Sequence, residues 1–92
     1  MAYIDPKMVK SPKGRVAQLE VLKDFGEGKY SVAKMLWDGK PAVGVRWNGG
    51  DSGDMFEGLG NPQSRGIATW FIMPGSIADI VMAGLDKLEP NA

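Results

Sequence analysis

The dipeptide Asp38-Gly39 constrains this chain more than any other feature, because it separates two runs suited to β-strands within Lys29 to Asn48. Asp-Gly favours a two-residue hairpin turn. Such a turn sets Trp37 opposite Lys40, Met35 opposite Ala42, Ala33 opposite Gly44 and Ser31 opposite Arg46. The alternate set pairs Tyr30 with Trp47, Val32 with Val45 and Lys34 with Val43. Directly opposed residues share a face, so the hairpin has two different sides. One carries Tyr30, Val32, Leu36, Val43, Val45 and Trp47 and is expected to face the core. The other has a floor of Ser31, Ala33, Ala42 and Gly44, edged by Met35, Trp37, Lys40 and Arg46.

The flanking sequence extends this hairpin on both sides. In Arg15 to Phe25, Ala17, Leu19, Val21 and Phe25 share one parity, and Gln18, Glu20 and Asp24 the other. A tight turn at Glu27-Gly28 would set Phe25 opposite Tyr30 and Leu19 opposite Leu36, sending the apolar parity to the same core face. Lys34 is the misfit, landing between Val21 and Val43; it either snorkels to an edge or marks a bulge. Gly66 to Met73, GIATWFIM, reads as a fourth strand, apolar enough to be covered on both faces or to form a dimer contact. After Pro74-Gly75, Ser76 and Asp79 give a helix start signal. Ile77, Ile80, Val81, Gly84, Leu85 and Leu88 then recur at helical spacing, and Pro90 is expected to stop the helix. The expected fold class is α+β: a four-stranded antiparallel meander with a C-terminal helix packed on one face. Residues 1–14, with Pro6, Pro12 and three lysines, are expected to form a flexible arm, and residues 15–92 a single domain.

Composition removes several classes of function. No apolar run approaches the roughly 20 residues of a membrane span, and MAYIDPKMVK has no apolar signal-peptide core, so a cytoplasmic location is expected. The chain has no cysteine and no histidine. Thiolate metal sites and disulfides are excluded, and the usual general base, metal ligand and pH switch are missing. Net charge is zero, but residues 1–48 hold nine Lys/Arg against five Asp/Glu, while residues 49–92 hold two against six. Local fields rather than net charge must therefore guide a partner.

The motifs for catalysis or cofactors are weak. Gly50-Asp51-Ser52-Gly53 looks like a serine-protease nucleophile segment, but there is no histidine to activate Ser52. Asp51, Asp54 and Glu57 could offer oxygen ligands to calcium or magnesium, yet their spacing does not match an EF-hand. The glycines of the loop Gly49 to Arg65 fit no phosphate-binding pattern and suit backbone turns. No enzyme, cofactor or metal is expected. The face of Met35, Trp37, Lys40 and Arg46 is the most informative constellation. Single strands bind aromatic platforms flanked by cations, and small residues at 33, 42 and 44 would let a base approach the backbone. A covered face, or a plain exposed one, is the bland alternative.

Gly39-Lys40-Pro41-Ala42-Val43-Gly44-Val45-Arg46 is similar to the glycine-lysine turn, alternating strand and terminal arginine of the positive cofactor four type of single-stranded DNA-binding domain, and more distantly to Whirly proteins. Arg65-Gly66-Ile67 also looks like the basic lead into that family's last strand. The resemblance implies that Lys40, Arg46 and Arg65 contact nucleic-acid backbone, that Trp37 lies near the bases, and that the protein is a homodimer binding single-stranded DNA or RNA. Arg46-Trp47-Asn48-Gly49, with Asn61-Pro62 and Trp70-Phe71, also resembles small bacterial proteins of phage, plasmid or integron origin. The alternative function is accordingly a protein-interaction module using Trp47, Phe56 or Trp70, without catalytic activity.

Overall fold

In the computed structural model, which describes residues 5–11, 13–50, 59–65 and 67–89, Asp38 and Gly39 both take positive φ, 53° and 82°. The turn joins β2 (Tyr30–Trp37) to β3 (Lys40–Trp47). Their pairing runs unbroken from Trp37↔Lys40 to Tyr30↔Trp47, as the turn dictates. β1 (Val16–Asp24) flanks β2, and the short β6 (Phe71–Ile72) flanks β3, giving a four-stranded antiparallel sheet in the order β1-β2-β3-β6. A separate small hairpin pairs β4 (Gln63–Ser64) with β5 (Ile67–Ala68). Helix α1 (Gly75–Ala83) follows β6. The fold is therefore α+β, mostly sheet.

The face expected to be core is core except at its end, where Trp47 is exposed rather than buried. Val32, Val43, Met73 and Ala78 are buried together, and Tyr30, Val45, Val81, Leu85 and Leu88 pack against them. This is the contact between sheet and helix. The helix begins at Gly75 with Pro74 as its N-cap and without a side-chain cap bond, so Ser76 does not play that part. It ends at Gly84, and a 3₁₀ turn at Leu85–Lys87 carries the chain on; Pro90 lies outside the described residues. Tyr30 Oη donates to the Glu89 carbonyl at 2.7 Å and pins this end to the sheet.

The register of β1 differs from expectation. Asp24↔Ser31 and Lys23↔Val32 keep the frame in which Phe25 meets Tyr30, with Phe25 N donating to Tyr30 O. Register shifts between Val21 and Lys23, and again between Ala17 and Glu20, then move the strand. A one-residue shift sends a side chain to the opposite face. Val21 therefore pairs with Ala33 rather than Lys34, and Ala17 rather than Leu19 meets Leu36. The shift resolves the Lys34 misfit: Lys34 now faces Glu20 and meets it at 3.4 Å on the surface.

The second face of the hairpin is also filled. Ala33 and Met35 are buried with Val9, Ala68 and Trp70, and Val16, Leu19, Val21, Trp37, Ala42 and Leu59 pack around them. The floor of small residues receives the chain's own indole. A Cβ on Gly44 would lie 3.1 Å from Trp70 Cβ and 3.1 Å from Met35 Cε. Trp70 Nε1 donates to Val9 O at 2.7 Å, and Ser11 bridges Thr69 in parallel. The expected flexible arm of residues 1–14 is thus corrected from Asp5 onward. Pro6–Met8 forms a 3₁₀ turn capped by Asp5, and Val9 is 1% exposed. Insertion of Trp70 also divides the expected fourth strand into β5 and β6. Among the described residues no helix is long and apolar enough to cross a membrane.

A Cβ on Gly39 would meet nothing within 4 Å, so the cost of substitution there is conformational. Gly39→Val should lower unfolding free energy by about 1–3 kcal/mol in urea, because a β-branched residue resists positive φ. An unchanged midpoint would show that the turn does not set the register.

Candidate functional site

The residues expected to form a nucleic-acid face do not form one surface. Met35 is 3% exposed within the core and Arg46 is 2% exposed. Trp37 packs its ring partly against the same core, while Lys40, its cross-strand partner, is exposed. Arg65 is exposed in the turn of the β4–β5 hairpin, with φ of 53°. That hairpin follows Asn61, which bridges Trp47 at the far end of β3 from Lys40. The two ends of an eight-residue strand lie roughly 24 Å apart.

Arg46 has a structural role. Its two terminal nitrogens donate to Thr69 O, at 2.6 Å, and to Leu59 O, tying the segments on either side of the β4–β5 hairpin to β3. Its Nε has no partner among the described residues. Burial lowers its pKa from the ordinary guanidinium value to about 10, so it remains charged at neutral pH. For a base with a depressed value the cost to folding is carried at every pH below about 10, and is relieved as pH rises above that toward the ordinary guanidinium value.

A second buried polar group closes the turn between β1 and β2. Ser31 and Asn48 are each fully buried. Asn48 Nδ2 donates to Gly26 O at 2.8 Å and to Asp24 Oδ1 at 3.1 Å. The single hydroxyl proton of Ser31 goes to Asn48 Oδ1 at 2.6 Å rather than to Asp24 Oδ1 at 3.4 Å. An inaccessible serine that donates to an amide braces the turn. Asp51, Ser52, Asp54, Phe56 and Glu57 lie outside the described residues. Among the described residues no group of acidic side chains is placed to hold a metal ion.

What the surface does offer is a mostly apolar cleft of about 720 Å³, lined by Tyr30, Val45, Arg46, Trp47, Asn61, Pro62, Gln63 and Phe71. Tyr30 and Trp47 meet edge to face with centroids 6.1 Å apart, and Phe25 packs tilted against Tyr30 at 4.9 Å. Trp47 is 48% and Phe71 57% exposed, high values for such large apolar rings. The Tyr30–Trp47 pairing was legible from the hairpin register. The contribution of Phe71 was not, because it needs the pairing of β6 with β3. The groove on the other flank of the helix carries charge of both signs, Lys34 and Lys40 with Glu20 and Asp79.

Comparison with protein-family models, with curated proteins and with solved structures found no match to this chain.

Arg46→Ala should cost about 2–4 kcal/mol of stability in chemical denaturation, because two carbonyls lose a charged donor. A change within about 0.5 kcal/mol, as expected for an exposed cation, would contradict its interior position.

Proposed function

We propose that this chain is a non-catalytic protein-interaction module that uses the apolar surface around Trp47 and Phe71. The observation that carries the reading is the pair of half-exposed rings on a mostly apolar cleft beside the sheet edge. Exposed aromatic residues on an apolar surface are typical of contact regions between proteins. Single-strand binding would need a positive groove running from Lys40 to Arg46, and burial of Arg46 removes one end of it. The mixed charge around Lys40 gives a phosphate chain little to follow.

A photo-reactive benzoyl-phenylalanine in place of Trp47 tests this in cells. A discrete cross-linked protein, seen at position 47 and not at the exposed Lys40, is expected. In parallel, fluorescence anisotropy with labelled single-stranded oligonucleotides should show no binding at tens of micromolar protein in low salt. Binding weakened by about 1–3 kcal/mol in Trp37→Ala, with Lys40→Ala flattening its salt dependence, would restore the nucleic-acid reading.

A further inference from the structure

We infer that the partner at this surface is a second copy of the chain, docked across the open edge of β6 about a twofold axis. This rests on the interaction-module reading and names its occupant. The two edges of the sheet are built differently. β1 is interrupted by two register shifts and carries Glu20, Lys23 and Asp24, devices that discourage edge pairing. β6 is Phe71–Ile72, uncharged and without a bulge. Met73 N donates to Val43 O at 3.0 Å, and antiparallel alternation then turns the N–H and C=O of Ile72 away from β3.

Helix α1 continues the same strip. Ala78, Val81, Leu85 and Leu88 turn toward the sheet. Asp79 and Met82 line the groove that also contains Lys34, Pro41, Ile72 and Met73. Helical spacing places Ile77 and Ile80 on the opposite flank of the helix, which follows β6 directly. Ile80 is 73% exposed and Ile77 49%. A soluble surface does not ordinarily group such residues beside a strand that is the edge of the sheet among the described residues without covering them.

The choice of a second copy follows from symmetry, charge and area. With the axis between two Ile72 residues, each Ile72 N–H reaches the other copy's Ile72 carbonyl, and one outward-facing pair satisfies the other. Phe71, Ile72, Ile77 and Ile80 include no charge, and the whole chain has net charge zero, so two copies meet without repulsion. Trp47, Phe71, Ile77 and Ile80 each expose about half their area or more. At on the order of 100 Å² apiece they supply about half of the ~800 Å² that each partner gives a standard interface. The product is an eight-stranded sheet with both helices on one face.

Sedimentation equilibrium of the full chain between 1 and 100 μM, on the order of the range where modest interfaces dissociate, tests the inference. The wild type should approach twice its 9.9 kDa mass. Ile80→Glu and Phe71→Glu, both at exposed positions, should each raise the dissociation constant at least about tenfold with unchanged circular dichroism. Met8→Glu, 68% exposed and on the side away from the helix, should leave it unchanged. A wild type monomeric throughout would overturn self-association, and a dimer indifferent to both strip variants would overturn docking across β6. A monomer that still cross-links another protein at position 47 would overturn it while leaving the interaction-module reading intact. A monomer with no cross-link at all would remove both.

Discussion

Pairing of β2 with β3 across Asp38-Gly39 is the contact on which the rest of the structure depends, because it creates two faces that both need cover. Val32, Val43 and Val45 lie on one side, and Ala33, Met35 and Gly44 on the other. A chain of this length reaches the first with its C-terminal helix. It reaches the second with what precedes β1 and with Trp70, whose indole is held by the Val9 carbonyl. Gly44 makes the second cover possible, since any larger residue would press on Met35 and Trp70. The sheet thus has a helix on one face and an irregular layer of N-terminal turn, Ala68 and Trp70 on the other.

The buried polar groups follow from that layering. Covering the second face takes Arg46 inside with its charge intact, and two backbone carbonyls offset part of the desolvation. Ser31 and Asn48 on the same hairpin find partners in the turn after β1. These groups hold the connections in place, which is a structural use of residue types that elsewhere do chemistry. Removing Met35 and Arg46 from the surface breaks up the expected face and leaves the aromatic rings at the end of the hairpin away from the turn as the centre of functional interest. There Tyr30, Trp47 and Phe71 remain in contact with solvent.

Much of the fold was legible in the sequence because its signals are local. Asp38-Gly39 set every β2–β3 pair, and Ile77 to Leu88 announced a helix by period. The faces of β1 were misread because a bulge leaves little trace in a nine-residue strand; the misplaced Lys34 was that trace, and its partner Glu20 explains it. The role of the N-terminal segment was hidden for a different reason. Val9 is one apolar residue among lysines and prolines, and its burial depends on a contact with Trp70 across most of the chain. The candidate face was misjudged in consequence. Alanines and glycines in a strand leave room for a base and for an indole alike, and only the tertiary contacts tell which one occupies it.

Indole hydrogen exchange, followed by nitrogen-edited nuclear magnetic resonance, tests the double-covered sheet most directly. The three tryptophans differ sharply in setting: Trp70 is 4% exposed and bonded to Val9, whereas Trp47 is 48% exposed. The account predicts a Trp70 indole hydrogen protected nearly as well as the central strand amides, and a Trp47 indole hydrogen that exchanges quickly. A Trp70 indole exchanging as fast as that of Trp47 would mean that the second face is open, and the interior position of Arg46 would fall with it.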